Sequence, residues 1–302
     1  MKIVVAGGSG FIGEPLVKRL IARGDDVAVL TRDASRVRAG RPLQWDARTQ
    51  GTWSESVAGA DAVVNLAGES IADGRWTEAR KRRLVDSRLN ATRAIVEALR
   101  RAPSPRRALV NASATGYYGD RQDEELDETS AKGAGFLAQL ADHWEVAARE
   151  AEPYARLVVL RFGIILGAGG GALQKMLLPF KLGAGGPIGS GNQWMSWIER
   201  DDAVRMVEWA IDNETVRGVY NATAPQPVRN RDFAKALGRA VSRPAIMPAP
   251  AFALKLAFGQ MAEEALLAGN KVLPRRAERE GFRFELPSID AALARALRKT
   301  PG

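Results

Sequence analysis

Three glycines recur at intervals of three residues near the start of the chain, at Gly7, Gly10 and Gly13. A wholly apolar run at residues 3–6 precedes them, as in a strand buried in a parallel sheet, and a helical apolar pattern follows at residues 15–21. Glycines at such a turn let the backbone approach a pyrophosphate closely, while the N-terminus of the helix offers free N–H groups and a positive dipole. The stretch therefore predicts a dinucleotide-binding loop.

The end of the second strand pattern indicates which dinucleotide is bound. Thr31 and Arg32 stand 18 and 19 positions after the last glycine of the motif, where an NAD enzyme places an acid on the ribose hydroxyls. An arginine at this place pairs with a 2′-phosphate through charge-assisted hydrogen bonds, so we expect NADP(H). Two alternatives stay open, because Asp33 is able to point back to the ribose and Arg32 could be a solvated residue. Arg36 and Arg38 either reinforce the phosphate site or lie on the surface.

Composition excludes several classes of site. The chain has 302 residues, of which 46% are hydrophobic and 26% charged, as is typical of a globular protein. It contains no cysteine, which excludes disulfides, zinc–thiolate sites and thiol nucleophiles, and its single histidine, His143, cannot form a multi-histidine metal site. We therefore expect no metal. The first strand pattern begins at residue 2 without a preceding signal peptide, and we expect a cytoplasmic protein.

The net charge of +9 raises the question of a nucleic-acid partner. The basic residues form short scattered clusters, and aromatic residues are not interleaved with them as stacking on bases would require. We therefore expect solvated basic faces, with a few arginines reserved for anionic ligands, and no nucleic-acid partner. The apolar stretch at residues 251–258 is too short to span a bilayer, so we expect no membrane partner. The expected partner is a small-molecule substrate, and the oligomeric state stays open, a homodimer included.

Short apolar runs alternate with longer helical patterns over more than half of the chain. Such alternation predicts an α/β fold with a doubly wound parallel sheet of the Rossmann type. The chain becomes glycine-rich after residue 166, and beyond about residue 225 it is mostly helical. We predict a dinucleotide-binding domain at residues 1–166 and 197–224, and a smaller, mainly helical C-terminal substrate lobe at residues 167–196 and 225–302.

Several motifs resemble one protein family. Residues 6–13 (AGGSGFIG), 65–68 (NLAG) and 114–119 (ATGYYG) are similar to motifs of the extended short-chain dehydrogenase/reductases, the NAD-dependent epimerase/dehydratase superfamily. Further motifs resemble an atypical epimerase-like subgroup that carries a C-terminal domain of unknown function. These are residues 65–71, 87–89, 113–119, 161–167, 170–172, 177–180, 185–191, 271–274 and 281–284. The resemblance covers nearly the whole chain and implies a Rossmann fold that binds NADP(H).

The resemblance also implies cofactor contacts residue by residue. The implied contacts to the pyrophosphate are Gly7, Gly10, Phe11, Ile12 and Gly13; those to the phosphate on the adenosine ribose are Thr31 and Arg32; those to the ribose beside the nicotinamide are Leu66, Ala67 and Gly68; and further candidates are Arg83, Arg88 and Arg161. Arg161 ends the sixth strand pattern, and ligands of such sheets bind beyond the carboxyl ends of the strands. The alternative for Arg161 is a salt bridge between the two lobes.

The catalytic residues of the better-known family members are missing. Those members support hydride transfer with a Ser or Thr, a Tyr, and a Lys four residues after the Tyr. Here the serine position falls on Ala114. When Glu145 is aligned with the glutamate that often follows the lysine, the tyrosine and lysine positions fall on Leu137 and Ala141. None of these side chains can move a proton.

Other residues could replace the missing groups. Tyr117 follows the fifth strand pattern and is the candidate acid, with Ser113 or Thr115 as a second donor; the alternative for Tyr117 is a wall of the pocket. Lys132 lies just before the helix that should carry the missing residues. His143 lies on that helix, where a lone histidine is more often a surface residue.

Two functions are compatible with these residues. The first is an NADP(H)-dependent oxidoreductase or epimerase that moves a hydride to or from an unknown small carbonyl or sugar-nucleotide-like substrate. The second is a non-catalytic NADP(H)-binding sensor or regulatory protein, which the absent tyrosine and lysine favour. An open, polar cleft above the nicotinamide would favour the first.

Overall fold

Thirteen strands form the sheets of the computed structural model, which describes residues 1–104 and 107–298. They are β1 (Lys2–Ala6), β2 (Asp26–Thr31), β3 (Arg41–Gln44), β4 (Ala62–Asn65), β5 (Ala108–Ala114), β6 (Glu125–Leu126), β7 (Arg156–Phe162), β8 (Ile164–Leu166), β9 (Trp194–Met195), β10 (Trp197–Glu199), β11 (Gly218–Ala222), β12 (Val228–Arg229) and β13 (Lys271–Val272).

Ten α-helices lie in the same part of the chain. They are α1 (Gly13–Ala22), α2 (Trp53–Ala58), α3 (Glu78–Arg100), α4 (Phe136–Arg149), α5 (Gly171–Lys181), α6 (Arg200–Asp212), α7 (Asn230–Ala240), α8 (Ala251–Phe258), α9 (Arg275–Arg279) and α10 (Ile289–Leu297). The described chain also has two 3₁₀ segments (Ala34–Arg36 and Thr115–Tyr118) and one π-helical segment (Ala262–Leu267).

The central sheet has seven strands in the order β11-β7-β5-β4-β1-β2-β3, and every neighbouring pair is parallel. This confirms the predicted doubly wound α/β fold. The chain leaves β1 for β2 on one side and reaches β4 on the other, so the connections diverge beside β1. Ligands of such sheets bind at the carboxyl ends of the strands at this point.

The side chains of β1 show how both faces of the sheet are buried. Ile3 and Val5 enter one apolar core, which α1 and α6 cover, whereas Val4 and Ala6 enter the other, which α2 and α3 cover. Successive side chains of a strand point to opposite faces, so a strand that is apolar at every position must be covered on both. The glycine loop therefore starts from a fully buried, rigid strand.

A smaller lobe packs beside the carboxyl edge of the sheet. Its core joins α5, α7 and α10, and three two-stranded pairs (β8 with β10, β9 with β12 and β6 with β13) border it. The buried carboxylate of Asp202 on α6 accepts hydrogen bonds from the N–H groups of Glu285 and Leu286, both at 3.0 Å, and so fixes the C-terminal segment to the sheet domain. The domain boundaries stay a prediction, and residues 299–302 of the predicted lobe lie outside the described residues. In the described chain, no helix is both long and apolar enough to cross a membrane.

Candidate functional site

The loop between β1 and α1 has a bare backbone. Gly7 has a φ of +80°, and a Cβ at Gly13 would lie 2.1 Å from the Gly7 carbonyl oxygen, so both positions require glycine. The N–H groups of Ser9, Phe11 and Ile12 make no hydrogen bond to any residue in the described ranges. The loop thus presents unpaired donors at the N-terminus of a ten-residue helix, an arrangement that suits a pyrophosphate.

A cavity of about 360 Å³ opens beyond the carboxyl ends of β1, β2 and β4. Eight of the predicted cofactor residues line it: Gly7, Gly10, Thr31, Arg32, Leu66, Ala67, Gly68 and Arg83. The wall also includes Asp33, Arg36, Trp45, Arg48 and Glu69. The structure therefore brings most of the predicted residues together at the point where the strand order reverses.

One end of the cavity is strongly basic. Arg32, Arg36 and Arg48 all line it, and no carboxylate of the described chain lies within 4.0 Å of their guanidinium groups. The carboxylate of Asp33 accepts hydrogen bonds from the N–H (3.0 Å) and hydroxyl (2.6 Å) of Ser35, which hold the pKa of Asp33 below its ordinary value. Asp33 is thus occupied in capping a 3₁₀ turn, and the unpaired guanidinium groups leave this end suited to a phosphate.

Sequence reasoning missed Arg48. It follows β3 in a turn that Asp46 closes by accepting hydrogen bonds from the N–H groups of Arg48 and Thr49, both at 2.8 Å, and Ala47 in this turn has a φ of +63°. An aspartate after a strand is a recognised turn signal. The local sequence, however, does not indicate that this turn borders the same cavity as Arg32.

Phe11 and Ile12 offer backbone rather than side chains to the site. Neither side chain lines the cavity. The Phe11 ring is enclosed by glycines, since a Cβ at Gly170 or Gly171 would lie 2.6 or 2.8 Å from its ring atoms. Those two glycines therefore make room for Phe11, and Phe11 fixes the phosphate loop against the start of α5.

Arg88 supports the turn after β4 instead of lining the cavity. Its guanidinium donates to the carbonyl oxygens of Leu84 and Glu69, both at 3.0 Å, and lies 5.1 Å from the ring centre of Trp144. Burial lowers its pKa to about 10. A Cβ at Gly68 would lie 3.1 Å from the Arg88 Cζ, so the arginine fixes the position of the Gly68 backbone.

The structure places Arg161 in a buried ion pair with α4. Its guanidinium is buried and makes two hydrogen bonds with the carboxylate of Glu145, at 2.7 and 2.8 Å, and one with the Tyr118 hydroxyl at 2.9 Å. Burial alone would lower the pKa of Arg161, but the hydrogen bonds to Glu145 outweigh it and raise the pKa. With its donors engaged in this way, Arg161 joins β7 to α4 beneath the site and does not line the cavity.

Ser113 belongs to the same buried network. Its hydroxyl donates to Glu145 Oε1 at 2.7 Å, and only 3% of the residue is exposed. Tyr118 donates its hydroxyl hydrogen to Asn221 Oδ1 (2.7 Å) or to the Asp127 carbonyl (2.9 Å), and burial raises its pKa to about 12. The Ser113 hydroxyl is therefore already committed, and a structural role accounts for it.

Tyr117 keeps a free hydroxyl. Its ring lies 3.4 Å from the Arg161 Cζ and stands edge-on to the Tyr118 ring, with 5.4 Å between ring centres. Its hydroxyl has no hydrogen-bond partner among the residues that the structure describes. Thr115 is nearly buried, and its carbonyl accepts a hydrogen bond from Asn270 at 3.0 Å. In the described chain the Thr115 hydroxyl, like that of Tyr117, makes no hydrogen bond, whereas that of Ser113 is committed to Glu145. None of the three predicted catalytic residues lines the cavity.

The aligned tyrosine and lysine positions are apolar in space as well as in sequence. Leu137 joins a cluster that includes Trp76, Phe258 and Leu266, and its N–H donates to Glu264 Oε2 at 2.9 Å. Ala141 is 3% exposed. The lysine near this helix, Lys132, pairs with Asp142 at 2.6 Å, and His143 is exposed on α4. Within the described ranges, no three His, Cys, Asp or Glu side chains are grouped to hold a metal ion.

Comparison with family models divides the chain into two parts. Residues 3–223 match the NAD dependent epimerase/dehydratase family, and residues 249–296 match a domain of unknown function, DUF1731. The first match covers the central sheet except for Lys2, and it covers all residues that line the cavity. The second begins just before α8.

Individual relatives match over almost their entire length. The chain is 39% identical over 296 residues to the human epimerase family protein SDR39U1, covering 97% of this chain and 98% of the relative. It is 38% identical over 307 residues to the epimerase family protein YfhF of Bacillus subtilis, covering 99% and 100%. The crystal structure of human SDR39U1 (isoform 2) with NADPH superimposes with a TM-score of 0.88 at 37% identity, covering 98% and 99%. A UDP-glucose 4-epimerase of Thermus thermophilus in complex with NAD, at 19% identity, 98% coverage of each chain and a TM-score of 0.77, shows the shared fold alone.

Proposed function

The chain belongs to the NAD-dependent epimerase/dehydratase family, and we propose that it is an NADP(H)-dependent oxidoreductase or epimerase for a small carbonyl or sugar-nucleotide-like substrate. The observation that carries the proposal is the basic end of the cavity, where Arg32, Arg36 and Arg48 lack carboxylate partners in the described chain. A 2′-phosphate would supply the missing negative charge. The relative that was crystallised with NADPH supports the same cofactor.

The residues present fit a dinucleotide with an extra phosphate. The bare loop offers the N–H groups of Ser9, Phe11 and Ile12 to the pyrophosphate, and the three arginines hold the ribose phosphate at the other end. When bound, the nicotinamide supplies or accepts a hydride. The chain itself binds and orients the cofactor, and Tyr117 offers a hydroxyl for proton transfer.

Arg32→Ala tests the cofactor choice. We expect the preference for NADP⁺ over NAD⁺ to fall by about tenfold to a hundredfold, because a charge-assisted hydrogen bond to the phosphate is lost. Arg48→Ala is expected to lower the same preference by about tenfold. The measurement is the Kd of each nucleotide by calorimetry.

Arg38→Ala is the matched control, since Arg38 is 77% exposed and absent from the cavity wall. We expect it to change the preference by less than about twofold. Equal affinities of the wild-type protein for NADP⁺ and NAD⁺ would contradict the assignment of the basic end.

The second candidate function is a non-catalytic NADP(H) sensor. It is favoured by Leu137 and Ala141, which leave an apolar cluster where the better-known family members carry their tyrosine and lysine. A screen of aldehydes, ketones and sugar nucleotides with NADPH separates the two functions. If the protein binds NADPH tightly but the absorbance of NADPH does not fall with any compound of the screen, the sensor function is favoured.

A further inference from the structure

Large apolar side chains are exposed on one part of the surface. Of the nine large apolar residues that stand exposed in the described chain, six lie in two segments, residues 167–198 and 233–262. They are Leu178, Leu182, Ile246, Met247, Phe252 and Leu256, and we call them the apolar face. Phe252 and Leu256 are 75% and 78% exposed, and large exposed apolar patches on a protein surface mark sites of interaction with proteins, membranes or ligands.

Backbone contacts join the elements that carry the apolar face. The end of α5 meets the loop before α8, where Arg243 donates to the Lys181 carbonyl at 3.4 Å and the Met247 N–H donates to the Gly185 carbonyl at 3.1 Å. A Cβ at Gly189 would lie 3.6 Å from the Ala251 side chain at the start of α8. The six side chains therefore belong to one continuous part of the small lobe.

Helix α8 is unusual within this region. Seven of its eight residues are apolar, the exception being Lys255, yet none of its side chains is buried. An apolar helix of a globular protein is normally covered on the side that carries its large residues. Leu254 and Phe258 are half-buried, and Phe258 packs against the cluster that contains Leu137. Phe252 and Leu256, one helical turn apart, point outward together and leave the other side of the helix uncovered in the described chain.

The charge around the apolar face indicates what covers it. Residues 167–198 and 233–262 contain no Asp or Glu, but they contain six cations: Lys175, Lys181, Lys235, Arg239, Arg243 and Lys255. Three of these pair with carboxylates from elsewhere, namely Lys175 with Asp73, Arg239 with Asp290 and Lys255 with Glu263. The other three, Lys181, Lys235 and Arg243, have no carboxylate within 4.0 Å in the described chain.

A positive, apolar face suits one class of partner better than a second copy of the chain. In a two-fold symmetric dimer the same positive surface meets itself, so the partner's copy of these two segments would bring Lys181 and Arg243 no compensating acid. A bilayer with anionic headgroups supplies both the opposite charge and an apolar layer.

We propose that the apolar face binds the surface of an anionic lipid bilayer, with α8 lying in the interfacial plane. Phe252 and Leu256 enter the acyl boundary, and Lys181, Arg243 and Lys255 contact the headgroups. This inference replaces the sequence-based expectation of no membrane partner, which considered only a segment long enough to span a bilayer. It does not depend on the proposed enzymatic function.

Vesicle flotation tests the proposal. We expect the wild-type protein to float with vesicles of phosphatidylglycerol and phosphatidylcholine, and to bind vesicles of phosphatidylcholine alone at least about tenfold more weakly. Raising the salt to about 0.5 M should weaken binding to the anionic vesicles, because the headgroup attraction is screened.

The variant Phe252→Ser with Leu256→Ser should lower the partition coefficient by at least about tenfold. The control is Val146→Ser, an exposed apolar residue on α4 that should leave binding unchanged. Lys181→Gln with Lys255→Gln removes charge without touching the apolar residues, and should weaken binding to anionic vesicles only. Thermal unfolding of each variant checks that the fold is intact.

Three outcomes would overturn the proposal. The first is no flotation of the wild-type protein with anionic vesicles at low salt. The second is equal loss of binding in the Val146→Ser control. The third is a wild-type dimer that Phe252→Ser with Leu256→Ser converts to a monomer, measured by light scattering, since this would assign the apolar face to a second copy of the chain.

Discussion

Replacing Arg161 with methionine is expected to lower the free energy of unfolding by about 3–5 kcal/mol. The change removes the buried partner of Glu145, whose carboxylate is 0% exposed and accepts hydrogen bonds from Arg161 and from Ser113. A buried carboxylate without its cation keeps its desolvation cost and loses its compensation. The measurement is urea unfolding at neutral pH, in which the midpoint and the slope of the transition give the free energy of unfolding of each protein.

Arg149→Met is the matched control for this prediction. Arg149 also reaches Glu145, at 3.4 Å, but its side chain is 44% exposed. Because solvent screens that pair, we expect a loss of less than about 1 kcal/mol. Changing both buried partners, Arg161→Met with Glu145→Leu, should cost less than Arg161→Met alone, since no unpaired charge is left. A loss for Arg161→Met no larger than that for Arg149→Met would contradict the prediction.

The fold could be predicted because each strand of the central sheet can be recognised from its own local sequence. The run at residues 3–6 is apolar at every position, and only a strand covered on both faces needs that pattern. The glycine loop could be predicted for a similar reason. Gly7 and Gly13 are required by backbone contacts within one loop of seven residues, so their spacing in the sequence is enough to predict the loop.

The pairing of Arg161 could not be read in the same way. Its position at the end of a strand pattern is correct, since it is the penultimate residue of β7. Its partner Glu145, however, lies 16 residues earlier on α4, and only the packing of that helix on the sheet brings the two charges together. A strand-end arginine that faces a ligand and one that faces a helix carry the same local sequence.

Arg48 shows the converse case, in which a residue enters the site without a local signal. It approaches from the turn after β3, whereas the predicted phosphate contacts follow β2. The pairing of β3 with β2, in register from Arg41 with Ala28 to Gln44 with Thr31, is what brings the two loops to one cavity. Register between strands is set by the whole sheet and is not written in either strand alone.

The surroundings of Leu137, the position we aligned with the family's tyrosine, are also set by packing. Leu137 contacts an apolar cluster that includes Phe258 and Leu266 from the C-terminal segment, and Glu264 of the same segment accepts a hydrogen bond from its N–H. Residues of the C-terminal segment thus surround Leu137. A phenol at Leu137 would meet that apolar cluster, so a proton donor for the proposed reaction would have to come from another element.

Tyr117→Phe is expected to lower kcat/KM by about a hundredfold to ten-thousandfold, the usual contribution of a general acid. Phenylalanine keeps the ring on Arg161, at 3.4 Å from its Cζ, and the edge contact with Tyr118. It removes only the hydroxyl, which has no hydrogen-bond partner in the described part of the chain. Stability and NADPH affinity should therefore stay within about 0.5 kcal/mol of the wild type. The measurement is NADPH turnover with the best substrate of the carbonyl screen.

Tyr154→Phe is the control. Tyr154 is also partly buried and stacked on an arginine, with its ring centre 5.5 Å from the Arg100 Cζ, but it packs against the core that α2 and α3 cover and not in the cluster of Tyr117 and Tyr118. We expect its turnover to equal that of the wild type. If Tyr117→Phe also keeps wild-type turnover, the Tyr117 hydroxyl does not donate the proton and the tyrosine serves to pack on Arg161 and Tyr118. The proton would then come from Thr115, the other predicted donor with an uncommitted hydroxyl, from the substrate or from water, because the aligned positions Leu137 and Ala141 cannot supply it.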